Sequence, residues 1–440
     1  MRLAIELYGT VIGTLEGSDS RAFDFIATED GIEKFGVNSP VLSVVVPLSD
    51  PLPRHHARRR RNWFNELLPE GDQLEFMLAQ SGIRRGDTLR FLARYGRDVA
   101  GALQVWDTED PTEPRTPSTS PTSIERVREL LESPMATPLA NEPSHGKSSL
   151  PGVQPKIVLV RSKEGWAQAL GGYPTTHILK PRLESKPTLI FDEEYGSRLA
   201  RRLGLANFDT TIEDFNGLPA IVIERFDRKA GSRVHQEDFS QALGASGSQK
   251  YQEFGGVVSL RRIADTLDRS AGAHDRKTLG RLVVFAVAIG NLDMHSKNIG
   301  LLHPDSGDVR LAPAYDVVPL VHQPGGDGRM ALAVNKRYRH DQITRDDLVS
   351  ELTGWGLVEA RKLIDDVLSE LLVAIDSEDP LEGSSPIVQA DIRRFVRNLI
   401  ERRSAGAPSL INQRTIALAS AVKSVEIVLD LGHRHAIMNR

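Results

Sequence analysis

No cysteine occurs in the 440 residues, which excludes disulfide bonds and thiolate metal sites, although it does not by itself identify a compartment. No apolar run is long enough to span a bilayer. The start, Met1-Arg2-Leu3-Ala4-Ile5-Glu6, places charge inside what would be the core of a secretion signal. The chain is therefore expected to stay in the cytoplasm, with no membrane partner. An excess of one charge sign is missing too: a formal net charge of -4 and a pI near 6.3 argue against binding nucleic acid over the whole surface. No internal repeat is evident. With 40% hydrophobic and 26% charged residues, the composition is that of an ordinary folded protein. Its length exceeds what one core usually supports, so two or more lobes are expected.

The most informative stretch is a short polar insert after an apolar run, Gly290-Asn291-Leu292-Asp293-Met294-His295-Ser296-Lys297-Asn298-Ile299-Gly300. Asp293 and Asn298 stand at the interval that separates the base and the metal-binding Asn in the catalytic loop of protein kinases, with Lys297 between them. Downstream, Asp316 is the one carboxylate in an otherwise apolar, strand-like stretch from Arg310 to Pro319. Phosphoryl transfer from a nucleotide requires a hard cation held by one or two oxygen-bearing side chains, and Asn298 with Asp316 supplies such a pair. A separate carboxylate must face the incoming hydroxyl, for which Asp293 is the candidate. Lys297 would hold charge against the transferring group. The competing reading is a solvated loop capping a helix, where Asn, Asp and Ser serve local hydrogen bonds.

Upstream, Thr175 to Pro181 reads as a short strand bearing Lys180 near its end, placed like the phosphate-pairing lysine of a kinase strand. Asp192, Glu193 and Glu194 then open a helical pattern, and Glu194 is the acid expected to pair with Lys180. Thr210 to Phe215 and Pro219 to Phe226 flank Asn216-Gly217, a strong hairpin signal. The second strand ends in Glu224-Arg225-Phe226-Asp227-Arg228, where an apolar strand turns polar, as suits a hinge whose backbone meets an adenine.

Ser149-Leu150-Pro151-Gly152-Val153-Gln154-Pro155-Lys156, Thr176-His177-Ile178-Leu179-Lys180, Glu224-Arg225-Phe226-Asp227, Gln236-Glu237-Asp238, the Asp293 to Asn298 loop and Tyr315-Asp316 follow one another in an order that resembles the HipA serine/threonine kinases, the toxins of HipBA toxin-antitoxin systems. The resemblance covers nearly the whole chain. It implies a bilobal, protein-kinase-like α/β fold with a mixed α/β N-terminal lobe and a mostly helical C-terminal lobe. ATP and Mg2+ would be used, with Asp293 as proton acceptor and Asn298 and Asp316 as metal ligands. Lys180 would contact the nucleotide phosphates, Glu224, Arg225 and Phe226 the adenine, and His295, Ser296, Lys297 and Asn298 the phosphate end, with Tyr315 also at the nucleotide. Pro151, Gly152, Val153, Gln154, Pro155 and Lys156 resemble the family's mobile phosphate-binding loop. Pro151 and Pro155 depart from a glycine-rich pattern, because each removes an N-H donor. Ser149 matches the serine that the family autophosphorylates, with Ser148 beside it as the alternative.

The same resemblance implies a HipB-like helix-turn-helix antitoxin, operator DNA reached through that complex, and a protein substrate such as an aminoacyl-tRNA synthetase, with growth arrest as the outcome. Two other functions stay open: an antitoxin-bound corepressor with little kinase activity, and a nucleotidyltransferase on the same fold. Two basic runs stand out. Arg58 to Arg61 reads as a solvated face, and Lys336 to His340 as either such a face or a contact with DNA.

Residues 1–106 are expected to form an N-terminal subdomain: a hairpin over the first 16 residues around Gly9-Thr10, a strand at Val41 to Val46, a helix from Asn62 to Gln80, and Phe91 to Trp106 passing through Gly96 and Gly101 into a strand. Residues 107–150 read as linker, with 107–123 rich in Pro, Thr and Ser, a short helix at Ile124 to Glu132, and a mobile stretch at 133–150. Residues 151–226 form the nucleotide-binding α/β part. Residues 227–440 form a mostly helical lobe, with helical periodicity over Asp346 to Ile375, Ile387 to Arg403 and Arg414 to Leu431.

Overall fold

The computed structural model describes residues 1–408 apart from 18–21, 50–52, 114–115, 142–144 and 230; the expected helix from Arg414 to Leu431 lies outside the described residues. The chain begins with strands β1 (Arg2–Leu7), β2 (Thr10–Gly17) and β3 (Phe23–Ala27), followed by helices α1 (Glu29–Phe35), α2 (Ala57–Asn65), α3 (Gly71–Ser81) and α4 (Thr88–Tyr95) and by strand β4 (Gln104–Asp107). The strands form an antiparallel sheet in the order β3-β2-β1-β4. The β1–β2 turn has Tyr8 and Gly9 both at positive φ (51 and 75), the turn geometry that matches strand twist. Leu3, Ile5 and Leu7 alternate into a core shared with Phe25, Trp63 and Phe64.

Two expectations fail here for identifiable reasons. Val41 to Val46 is a series of bends and not a strand, because the Ser43 hydroxyl (2.6 Å) and the Val44 amide (2.9 Å) both donate to the Glu237 carboxylate. The expected helix from Asn62 to Gln80 is two helices, broken around Pro69-Glu70-Gly71, where Gly71 is left-handed (φ 58). Of the first basic run, Arg58 and Arg59 are exposed, but Arg60 is buried and forks onto Asp24 with two 2.6 Å bonds.

Next come β5 (Ser118–Thr122), α5 (Ile124–Glu132), β6 (Ile157–Ser162), β7 (Gly165–Leu170), β8 (His177–Pro181), α6 (Leu189–Arg202), β9 (Thr210–Phe215) and β10 (Leu218–Glu224). They build a six-stranded sheet in the order β5-β7-β6-β8-β10-β9. The Asn216-Gly217 turn forms as expected, with both residues at positive φ (53 and 91). The stretch read as linker contributes β5, paired along its length with β7. Within the stretch read as mobile, Leu139, Ala140, Asn141, Lys147, Ser148 and Ser149 are all buried.

The remainder contains β11 (Arg228–Lys229), β12 (Ser232–Arg233), β13 (His235–Asp238), α7 (Phe239–Leu243), α8 (Leu260–Ser270), α9 (Ala273–Ile289), β14 (Gly300–His303), β15 (Arg310–Leu311), β16 (Arg329–Val334), β17 (Arg337–Arg339), α10 (Arg345–Gly354), α11 (Ala360–Ser377) and α12 (Val388–Ile400). Helix α9 is apolar and buried on all sides from Leu282 to Ile289, as a central helix must be. The periodic stretch from Asp346 to Ile375 is split into α10 and α11 around Gly354 to Gly356. Of the second basic run, Arg337 pairs with Asp347, Arg339 with Asp341, and His340 is buried against the Val287 carbonyl. Among the described residues no helix is long and apolar enough to cross a membrane.

Candidate active site

Helix α9 stops at Gly290, whose left-handed backbone (φ 71) turns the chain out of the helix. The polar insert then folds onto itself. The Asn291 side chain accepts from the Asp293 amide at 3.1 Å, and the Asn298 side-chain amide donates to the Asp293 carbonyl at 2.8 Å. The latter bond uses the NH2 of Asn298, so its Oδ1 is an acceptor that could serve a cation. Ser296 shares a 2.7 Å hydroxyl bond with Ser240, and the Tyr315 hydroxyl donates to the Lys297 carbonyl at 2.8 Å.

Lys180, on β8, bridges two carboxylates: Glu193 at 2.7 Å and Asp316 at 2.8 Å. Glu193 reaches it because α6 lies close against the segment after Asp316. A Cβ on Gly196 would sit 2.4 Å from the Val317 carbonyl oxygen, so only glycine permits that approach. The expectation for Glu194 is corrected here. It is one residue further on, about 100° round the helix, and forks onto Arg198 at 3.1 and 3.0 Å. Asp316 itself has φ 53, a conformation uncommon outside glycine.

Lys180, Asp293, Asn298, Tyr315 and Asp316 line one cavity of about 630 Å³. Burial, with Asp316 nearby and against the pull of Lys250, pushes the Asp293 carboxyl up to about 6. Burial opposes ionisation of Asp316 as well, but the Lys180 ammonium prevails and holds it below the usual carboxylate range. Burial and Lys250 bring His295 down to about 4, so its imidazole is neutral.

Pro151, Gly152, Val153, Gln154, Pro155 and Lys156 all line this cavity. Burial, with Lys180 beside it, lowers the Lys156 ammonium to about 8. Ser149 is fully buried and donates to the Leu67 carbonyl at 2.9 Å, while Ser148 donates to Asp98 at 3.2 Å. At the hinge, Phe226 stacks on Tyr315 with ring centres 5.3 Å apart, and Glu224 is exposed at the rim. Arg225 lines the cavity but its polar groups point elsewhere. Its guanidinium is bound by Asp227, Thr175 and the Val99 carbonyl, its amide donates to Thr176, and its carbonyl accepts from Arg228.

Lys297 is buried and held by Glu66 at 2.7 Å and Glu70 at 2.8 Å, two carboxylates from the break between α2 and α3. Glu66, Glu70, Asp238, Lys250 and Tyr251 also line the cavity. Of these only Asp238 falls in a stretch singled out from the sequence. The Pro69-Glu70-Gly71 helix break was the available signal for the two glutamates; Lys250 and Tyr251 carried none.

Residues 3–106 match the HipA N-terminal domain, and residues 148–375 match the HipA-like C-terminal domain. A putative kinase of Sinorhizobium fredii, Y4mE, is 31% identical over 351 residues, covering 75% of this chain and 82% of the relative. The serine/threonine-protein kinase toxin HipA of Shewanella oneidensis is 28% identical over 310 residues, 66% of this chain and 70% of that protein. A chain from the solved Shewanella oneidensis complex of HipA, HipB and operator DNA superposes with a TM-score of 0.75 at 24% identity, covering 91% of this chain and 97% of that one. The fold is therefore the bilobal, kinase-like α/β arrangement, and the chain belongs to the HipA family.

Proposed function

We propose that this chain is a serine/threonine protein kinase toxin that uses ATP and Mg2+ to phosphorylate a cellular protein and itself. The observation that carries the reading is the convergence, in one cavity, of a lysine bridging Glu193 and Asp316 with a loop presenting Asp293 and Asn298.

The residues present fit a metal-nucleotide. The carboxylate of Asp316 and Oδ1 of Asn298 are hard oxygen donors suited to magnesium. Gly152 has φ 110, a backbone conformation that suits glycine, in the segment that lines the cavity. On residues that line the cavity, three buried polar atoms have no hydrogen-bond partner among the described residues: His295 Nδ1, Gln154 Nε2 and Glu193 Oε2. Magnesium, when bound by Asn298 and Asp316, would neutralise phosphate charge there. Lys180 and Lys156 hold the phosphates, and Phe226 with Tyr315 forms an aromatic wall beside an adenine. The backbone around Glu224 marks the hinge. Asp293 takes the proton of an incoming seryl or threonyl hydroxyl, for which a carboxyl at about 6 is suited. His295, Ser296 and Lys297 set the shape and charge of the loop around it.

Ser149 is the proposed autophosphorylation site. Its burial against the Leu67 carbonyl requires a local opening before its hydroxyl can be modified; departure of the adjoining 151–156 loop from the cavity is the opening proposed, and phosphate on Ser149 would bar its return. By likeness to the Shewanella oneidensis complex, the partners proposed are a HipB-like antitoxin and, through it, operator DNA; the family resemblance adds an aminoacyl-tRNA synthetase as acceptor. The division into residues 1–106, 107–150, 151–226 and 227–440 is proposed as the functional layout.

Intact-mass measurement after incubation with magnesium ATP tests the activity. Gain of about 80 Da per event is phosphate transfer. An added AMP mass would replace the kinase reading with nucleotidyl transfer, and an unchanged mass would favour a binding role on operator DNA.

A further inference from the structure

The kinase reading leaves Glu66, Glu70 and Lys250 without a part, yet together with Lys297 they form a cluster of paired charges in the cavity wall. Lys250 Nζ lies 2.8 Å from Glu70 Oε2, and Lys297 Nζ lies 2.8 Å from Glu70 Oε1. Each oxygen of one carboxylate thus takes one ammonium, as a phosphoryl group would between two lysines. Glu66 differs. Besides Lys297 it accepts from the Gly247 amide at 3.0 Å, a fixed structural bond. The lysine side chains are 9% and 6% exposed, whereas Glu70 is 23% exposed. The cations are therefore part of the wall, and the anion between them is the solvent-reachable member. Glu70 also stands at the break between two helices, makes no capping bond to α3, and borders the left-handed Gly71, so its carboxylate can move without unravelling a helix.

We infer that Lys250 and Lys297 form an oxyanion subsite for a phosphoryl group, and that Glu70 is its built-in occupant, so that the N-terminal subdomain competes with phosphorylated ligands for the two cations. The phosphoryl identity of the ligand rests on the kinase reading. The competition itself rests on the geometry. Lys250 thereby gains a role as a binding residue opposite the Asp293 loop, and the N-terminal subdomain gains one as an internal brake.

Calorimetric titration of inorganic phosphate into the full chain tests this without requiring turnover. Glu70→Gln keeps the shape and removes the charge, and it should bind phosphate at least about tenfold more tightly than the parent protein. Lys250→Gln breaks the same ion pair from the other side and should bind phosphate no more tightly than the parent. In the double variant Glu70→Gln/Lys250→Gln the gain should disappear. A plain structural staple would lower the melting temperature equally in both single variants and raise phosphate affinity in neither, and that result overturns the proposal. If Glu70→Gln does not fold, Glu70→Asp retracts the charge by one methylene and should give an intermediate affinity; parent-like affinity there overturns the proposal as well. Phosphate binding to Glu70→Gln that survives saturating ADP but not ATP assigns the subsite to the terminal nucleotide phosphate. Survival against both assigns it to the group already passed to the acceptor. Loss of mass gain with magnesium ATP would sink the kinase reading while leaving the phosphate titration interpretable.

Discussion

Lys180 holds Asp316 at 2.8 Å across 136 residues of sequence, and does so while Asp316 keeps a left-handed backbone (φ 53). The lysine is thus the counter-charge for an acid in an uncommon conformation, and under the proposed function it also contacts the nucleotide phosphates. Replacing it leaves Glu193 and Asp316 as uncompensated neighbours. Lys180→Met should lose phosphoryl transfer and also about 3 kcal/mol of stability in denaturant titration, since a broken buried pair costs that order. Unchanged stability would mean that Lys156 takes over the pairing.

Asp293→Asn should lower transfer about 10²–10⁴-fold while nucleotide binding survives. The pH dependence follows from the carboxyl being raised to about 6. As proton acceptor it must be ionised, so the rate should climb through pH 6 and level off above it. For stability the sign is the reverse. The folded state binds the proton more tightly than the unfolded one, so this group's contribution is full below the ordinary aspartate range and is lost as pH rises through 6. Asp293→Asn should remove that slope from melting curves recorded between pH 4 and 7. A parent-like turnover in this variant would end the assignment.

Asp316→Asn should weaken ATP binding in the presence of magnesium more than Asp293→Asn does, because a carboxylate facing the cation loses its charge. Titrations of ATP with and without magnesium compare the two, and equal metal dependence would contradict the division of roles.

Ser149→Ala removes a buried hydroxyl bonded to the Leu67 carbonyl, at a cost of about 1 kcal/mol. If Ser149 is the self-inactivation site, this variant should nevertheless stay active longer and be more toxic in cells lacking an antitoxin. Phosphosite mapping on protein made without antitoxin decides the point, because phosphate confined to Ser148 with activity undiminished would remove the switch from Ser149.

What the sequence disclosed was local. The Asn216-Gly217 turn, helix α5 over Ile124–Glu132 and the polar insert after α9 each carry their signal within a few residues. Strand β5 did not. Its sequence Ser118-Thr119-Ser120-Pro121-Thr122 is largely exposed at a sheet edge and has no apolar alternation to detect. The choice between Glu193 and Glu194 turned on the rotation of one helix, which depends on Gly196 meeting Val317, a contact far apart in sequence. The pairing of Glu70 with Lys250 and Lys297 spans 180 and 227 residues, and charge pairing at such range leaves no periodicity to read. Burial of Ser149 was equally hidden, since a serine pattern does not reveal what its backbone neighbours will cover.

The bond from Ser149 to Leu67 ends one residue from Glu66, which holds Lys297. The anchor of the segment leading into residues 151–156 and the acidic clamp on Lys297 are therefore fastened to the same five-residue stretch between α2 and α3. Homologous N-terminal subdomains should consequently not be interchangeable parts. A chimera that receives residues 1–106 from a relative should regain a normal folding midpoint only when the 147–156 segment is exchanged with it, so the recombination boundaries of this protein are set by that stretch and not by the visible limits of its sheets.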